Sequence, residues 1–240
     1  MKAVILAAGK GNRLYPLTED KPKCLLEVKG KTFLHHCLEN LRKSGIKDVV
    51  IVTGFAAEKI EAEIKRIGYE ATLVFNPDFA SKNNIVSLCT ARDLLEDGFL
   101  LINSDVLFHP KILKAVIESK IENFLVVDDT KVLGEEEMKV KLVGGLLKGI
   151  SKKHNPKESQ GEYIGICRFD KKGSSAVFKA ISDLLQEQQF DKFYEEAFQR
   201  ICKTFPIGFV STKGLAWIEV DNIKDLTYAR TTTINEIEKG

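Results

Sequence analysis

Lys2-Ala3-Val4-Ile5-Leu6-Ala7-Ala8-Gly9-Lys10-Gly11-Asn12-Arg13, with Pro22-Lys23 some ten residues further on, is the stretch that decides how this chain is read. Lys2 to Ala7 is an apolar run expected to be a buried strand, and it enters a glycine turn without a break. At the carboxyl edge of a sheet, such a turn exposes backbone N–H groups that bind phosphate. Glycine is needed because a side chain would hold the backbone away from the anion. Arg13 and Lys23 add cations at the same mouth. The set suits a nucleoside triphosphate better than a dinucleotide. A dinucleotide fingerprint needs a third glycine where Leu14 stands, and a P-loop needs a four-residue gap and a Lys-Ser/Thr pair that Gly9-Lys10-Gly11 lacks.

Outward from this turn, helix-like and strand-like segments alternate. Phe33, Leu34, Cys37, Leu38 and Leu41 recur at helical spacing within Thr32 to Ser44, and Gly45 closes that helix. Val49 to Thr53 reads as a strand buried on both faces. Then come a helix over Ala56 to Ile67, a strand over Ala71 to Phe75, a helix over Asn83 to Leu95 and a strand over Phe99 to Asn103. Pro110 opens a helix to Lys120, and Asn123 to Val127 is a further strand. The alternation predicts an α/β fold: a doubly wound, mostly parallel, Rossmann-like sheet with helices on both faces. Ligands in such sheets lie beyond the carboxyl ends of strands, where Gly9 to Arg13, Asn76 to Asn84 and Ser104-Asp105 fall.

The second half departs from that rhythm. Val140 to Ile150 reads as short strands broken by glycines, and Tyr163 to Phe169 as another strand. Ser174 to Gln188 and Asp191 to Cys202 are helical. Ile207 to Val210 and Ala216 to Val220 are strands, and Ile223 to Ile237 is a last helix. No repeat, low-complexity tract or long linker interrupts the chain. Residues 1–240 are therefore expected to form a single domain with an inserted cap around 134–161.

The net charge of +2, from 36 basic and 34 acidic residues, lacks the positive excess of a nucleic-acid or membrane-surface protein. Cys24, Cys37, Cys89, Cys167 and Cys202 are odd in number, scattered and never in a C-x-x-C pair. That argues against a disulfide framework and a thiolate zinc site, and for a reducing compartment. The chain opens on a core strand without a leader, and no apolar run reaches membrane-spanning length, so a cytoplasmic location is expected.

Asp105 and Asp221 each follow an apolar strand. Two strand ends can bring distant carboxylates to one edge, and two carboxylates facing a triphosphate are a usual way to hold Mg²⁺. Each could equally cap the following helix, a reading that fits Asp221 better than Asp105. His35, His36, His109 and His154 form no nucleophile–base pattern.

The Leu6-Ala7-Ala8-Gly9-Lys10-Gly11-Asn12-Arg13 run with Pro22-Lys23 resembles the signature of the nucleotidyltransferase superfamily, over nearly the whole chain. Asn76-Pro77-Asp78-Phe79-Ala80-Ser81-Lys82-Asn83-Asn84-Ile85-Val86-Ser87-Leu88, Glu137-Met138-Lys139-Val140-Lys141 and Gly161-Glu162-Tyr163-Ile164-Gly165 are similar to bacterial choline-phosphate and 2-aminoethylphosphonate cytidylyltransferases. The resemblance implies Mg²⁺ on Asp105 and Asp221, and phosphates held by Arg13 and Lys23. It implies nucleotide contacts from Leu6, Ala7, Ala8, Gly9, Gly11 and Ser104, and base recognition by Ser81, Asn83 and Asn84. Lys152 stands where sugar-nucleotide relatives place a lysine on the acceptor phosphate, or is a solvated lysine in a basic loop. Asn12 departs from the expected Ser or Thr.

A phosphate monoester is largely anionic at neutral pH, with a second pKa near ~6, so attack on the α-phosphorus needs no general base. It needs positioning and charge neutralisation. A cationic acceptor end would want a carboxylate or an aromatic wall, for which Glu219, Tyr194, Trp217 and Glu162 are candidates. Tyr194 and Trp217 could also be core aromatics. The expected function is transfer of CMP from CTP to phosphocholine or 2-aminoethylphosphonate, by a monomer or homodimer. A sugar or inositol phosphate acceptor and a non-catalytic nucleotide-binding regulator are the alternatives.

Overall fold

The computed structural model describes residues 1–239. Strand β1 (Ala3–Ala7) is buried along its whole length and runs into the glycine turn. A short hairpin, β2 (Glu27–Val28) and β3 (Lys31–Thr32), leads into α1 (Phe33–Lys43), which Thr32 caps by accepting from the His35 amide. β4 (Val49–Thr53), α2 (Ala57–Arg66), β5 (Thr72–Phe75), α3 (Asn84–Thr90) and β6 (Gly98–Asn103) continue the alternation. β7 (Val106–Phe108) follows β6 almost at once, before α4 (Pro110–Glu118) and β8 (Phe124–Asp128). The hairpin β9 (Lys139–Val143) and β10 (Leu146–Ser151) lies within 134–161, and both strands belong to the main sheet. The long β11 (Gly161–Asp170), α5 (Lys171–Gln186), α6 (Glu195–Ile201), β12 (Gly208–Ser211), β13 (Trp217–Glu219), α7 (Ile223–Tyr228) and α8 (Ile234–Lys239) complete the described chain.

The main sheet has the order β10-β9-β11-β6-β1-β4-β5, with β8 also on β11 and β12 on β8. Its centre is parallel: Ala3 pairs with Val49 and Leu100, Ala7 with Thr53, and Leu6 with Asn103. This is the expected α/β sheet, and the register sets the ends of β1 and β6 side by side. β11 runs antiparallel to both β6 and β8. Side chains on β1 alternate between the two faces. Val4 and Leu6 belong to one apolar core, and Ala3, Ile5 and Ala7 to the core on the opposite face.

Five details differ from the sequence reading. β7 was hidden because three residues are too few to show a period. β13 was expected to end a strand of a doubly wound sheet, yet it pairs antiparallel with β7 in a separate two-stranded ribbon, Trp217 opposite Phe108 and Glu219 opposite Val106. The helix expected over Asn83 to Leu95 stops at Thr90, and a tight turn at Arg92–Leu94 follows. The helix expected from Asp191 begins at Glu195, and the last helix is interrupted by a π turn at Ala229–Thr233.

Candidate functional site

The carboxyl ends of β1 and β6 open into a cavity of about 340 Å³. A larger hollow of about 670 Å³ lies around Met1, Asp48, Gly98 and Asp170, at the amino-terminal edge of the same strands, which is the wrong end for a ligand in such a sheet.

The glycine turn forms one wall. Gly11 has φ +74, and a Cβ there would stand 2.9 Å from the Lys23 Cβ, so glycine answers both a backbone and a packing demand. Thr18 pins the turn by donating to the Gly11 carbonyl at 2.9 Å. A Cβ on Gly9 would meet nothing within 4 Å, so its bare backbone faces open space where an anion can approach.

The facing wall is acidic. The β7–β13 ribbon delivers the acids: Val220 donates its amide to the Asp105 carbonyl at 3.1 Å, locking the two segments together. As a result Asp105, Glu219 and Asp221 each offer a carboxylate oxygen within 4.8 Å of the others. Lys23 Nζ lies 2.7 Å from Asp105 Oδ2 and 2.8 Å from Asp221 Oδ1, and Arg13 Nη2 is 2.9 Å from the same Asp221 oxygen. The other oxygen of Asp105 is buried without a partner. An all-oxygen cluster with an unmatched buried oxygen fits a hard divalent cation.

Electrostatics follow from this crowding. Burial works against the Lys23 ammonium, but Asp105 and Asp221 overcome it and hold its pKa above the usual lysine range. Burial also works against the Asp221 carboxylate, yet Lys23 and Arg13 keep its pKa below the ordinary value. Among the described residues, Glu219 has no such cation in contact. Burial, then the charges of Asp105 and Asp221, push its pKa up to about 8.

Of the expected residues, Leu6, Ala8, Gly9, Gly11, Arg13, Lys23, Asn83, Asn84, Ser104, Asp105, Lys152, Glu219 and Asp221 line this one cavity. Lys152 reaches it from the end of β10, its ammonium 5.8 Å from the Phe193 ring centroid. Asn83 and Asn84 have polar atoms engaged within the protein. Asn83 accepts from the Asn84 amide and donates to the Asp191 carbonyl, and Asn84 accepts from the Tyr194 amide. Ser81 lies in an adjoining hollow shared with Ala8, Gly9 and Asn84. Glu162 and Trp217 line a second hollow of about 500 Å³, which shares Arg13, Met138, Lys152, Glu219 and Asp221 with the first. There Trp217 Nε1 donates to Asp128 at 2.8 Å, and Lys131 pairs with Glu162 at 2.7 Å.

Two expectations are corrected. Ala7 does not reach the cavity, because strand alternation turns its side chain into the opposite core. Tyr194 cannot touch an acceptor: it is fully buried, its hydroxyl donating to Asn103 and 3.1 Å from that of Tyr163.

The residue beside it was missed. Glu195 is buried on the cavity wall, its Oε2 without a hydrogen-bond partner, and burial raises its pKa to about 7. In sequence it looked like any helix acid, because the helix was expected to begin four residues earlier. Gly165 was also missed. It breaks the pairing of β11, with φ +77, and a Cβ there would stand 2.7 Å from the Asn103 amide nitrogen.

Comparison with known proteins places this geometry. The family model described as "Nucleotidyl transferase" matches residues 2–132. A bifunctional IPC transferase and DIPP synthase from Aquifex aeolicus is 31% identical over 241 residues, covering 99% of this chain and 53% of its own length, so the chain spans about half of that relative. A CTP:phosphoglutamine cytidylyltransferase from Campylobacter jejuni is 26% identical, covering 94% of this chain and 98% of its own. Among solved structures, the CTP:phosphocholine cytidylyltransferase of Streptococcus pneumoniae superposes with a TM-score of 0.77 at 24% identity, over 95% of this chain and 97% of that one.

Proposed function

The chain belongs to the nucleotidyl transferase family, and on that premise we propose that it is a Mg²⁺-dependent cytidylyltransferase. It moves CMP from CTP to a small phosphate or phosphonate bearing an amine, such as phosphocholine or 2-aminoethylphosphonate, and releases pyrophosphate. The observation that carries this reading is the charge balance of one cavity. Asp105, Glu195, Glu219 and Asp221 share it with Arg13, Lys23 and Lys152.

Asp105 and Asp221 are the proposed holders of Mg²⁺, with Glu219 within reach of the same position. Held by these acids, a divalent ion would supply positive charge against the negative charge developing on the leaving pyrophosphate. The backbone of Gly9 and Gly11 cradles the triphosphate. Lys23 leaves its carboxylate partners to meet the α-phosphate, while the exposed Arg13 swings to the outer phosphates. Lys152, from the other side of the cavity, draws the acceptor phosphate toward the α-phosphorus. Two anions are thereby brought together in a site with fixed cations, which is the main barrier to the reaction. No residue is asked to remove a proton.

Glu195 and Glu219 are acids beyond the pair assigned to the metal. A neutral acceptor would leave them largely or partly protonated at neutral pH and without a charged partner. An ammonium group at the far end of the acceptor matches both. The cytidylyltransferase names among the relatives support CTP as donor and a small phosphate as acceptor.

A turnover screen tests this directly: CTP, UTP, dTTP and GTP, each with phosphocholine, 2-aminoethylphosphonate, glucose 1-phosphate and inositol 1-phosphate, read by pyrophosphate release. CTP with an amine-bearing acceptor should be fastest. A better donor than CTP, or a preference for a neutral sugar or inositol phosphate, overturns the reading.

A further inference from the structure

Lys139, the first residue of β9, is fully buried, and no carboxylate forms an ion pair with it among the described residues. A buried ammonium in that state is costly unless every N–H is matched. Here each one is. Nζ lies 3.1 Å from the Gly134 carbonyl, 2.7 Å from that of Glu135 and 3.1 Å from that of Glu137. The segment is thus wrapped around a cation supplied by its own chain.

The rest of the segment is tied in the same way. The Gly134 amide donates to Glu137 Oε2 at 2.9 Å, and Lys131 holds Glu137 and Glu162 together. The Tyr163 amide donates to the Met138 carbonyl. Because three carbonyls turn inward to Lys139, the segment shows the second hollow its side chains Glu136, Glu137 and Met138. That hollow faces Trp217 and joins the nucleotide cavity through Arg13, Lys152 and Asp221.

We propose that Lys139 is a positioning residue for acceptor binding: its ammonium fixes the 134–138 wall of the hollow beside the metal acids without touching either substrate. The proposal rests on the proposed function, in which the acceptor lies between Lys152 and Glu219, residues that this hollow shares with the nucleotide cavity. Replacing the ammonium leaves three carbonyls unmatched, so they turn toward water and the wall moves. A wall displaced by an ångström weakens acceptor binding and leaves the glycine turn that holds the nucleotide untouched.

The test uses the full chain as K139M, K139A and, should both fail to fold, K139Q, whose amide keeps two donors for the three carbonyls. Kinetics use CTP with the acceptor that the wild type prefers among phosphocholine, 2-aminoethylphosphonate, glucose 1-phosphate and inositol 1-phosphate. The acceptor KM should rise about tenfold or more while the CTP KM changes less than about twofold. Hydrogen exchange should rise at 134–138 and hold elsewhere, and ethylammonium added to K139A should restore protection there. A general structural defect would move both KM values together. The proposal is overturned if a folded variant keeps wild-type exchange at 134–138, or if the two KM values rise alike. The exchange measurement needs no turnover, so a wild type inactive on all these acceptors refutes the functional reading while the exchange at 134–138 still supports or overturns the role of Lys139.

Discussion

Asp105 has one oxygen on the Lys23 ammonium and the other buried with no partner. It does not cap a helix, since β7 begins at Val106. Its charge is one of the two that offset burial of the Lys23 ammonium, Asp221 being the other, and it penalises Glu219. Asp105→Ala is expected to lower kcat by about 10²- to 10³-fold, the scale for losing one electrostatic contact to a transition state. Its melting temperature should fall only slightly, because Asp221 still pairs with Lys23. Steady-state rates and thermal unfolding on one preparation check both. A large fall in stability would mean that the carboxylate is structural.

Glu219 and Glu195 give a pH signature. Their pKa values in the fold are about 8 and about 7, against 4.5 for a free glutamate. Between those limits the folded state binds more protons than the unfolded chain, so stability falls as pH rises. The contribution is whole below pH 4.5 and is lost by the time pH passes through about 8. Without divalent ions, the melting temperature should decline from about pH 6 to about pH 8.5, beyond any change in buffer. E195Q and E219Q should each flatten that slope, as scanning calorimetry across the range would register.

At the scale of elements, what was legible was periodic. β1, β4 and β6 are unbroken apolar runs, and α1 and α4 have clear helical spacing and caps, so each was found to within about two residues. Gly9, Gly11, Arg13 and Lys23 were legible because phosphate binding asks for particular residue types at a fixed spacing. The β7–β13 ribbon was not legible. Its strands are three residues each and their pairing joins segments over a hundred residues apart, which no local pattern encodes. Asp221 was found from its own neighbours, yet the element that carries it to Asp105 was not. Tyr194 was misassigned for a related reason: a tyrosine in a sequence does not say whether its hydroxyl meets water or another tyrosine.

Gly165 shows an element bent to serve a site. Alanine there would need an unfavourable left-handed backbone and would press on Asn103, itself on the cavity wall. Gly165→Ala should cost about 2 kcal/mol, mostly backbone strain, and weaken nucleotide binding as well. A shift of the urea midpoint together with a raised CTP KM would bear this out. An unchanged midpoint would show that β11 tolerates the side chain.

Across the whole molecule, the site spans both halves of the chain while the cores do not depend on it. Of the two apolar clusters that flank the sheet, one meets the cavity at few positions, Leu6, Ala8 and Tyr163 among them, and the other supplies none of its lining. The glycine turn, Lys23 and Asp105 lie inside residues 2–132, the region that the family model matches. Lys152, Glu195, Glu219 and Asp221 lie outside it. Asp221, proposed to hold the metal, ties this second region to the nucleotide, whereas Lys152 and Glu195 are proposed to meet the acceptor, so substitutions at Glu195 should alter acceptor preference more than donor preference. A matrix of acceptor and donor KM values for E195Q would measure the difference.

Lys23 has a consequence for handling this protein. Because its ammonium already spans Asp105 and Asp221, the acids are never left to repel one another when no divalent ion is at hand. The fold thus carries its own stand-in, unlike small zinc modules that collapse on chelation. Treatment with EDTA should halt turnover at once, leave the melting temperature within about 2 °C, and be fully reversed on adding Mg²⁺ back. On the proposed Mg²⁺ dependence, loss of the ion would leave the protein idle but folded.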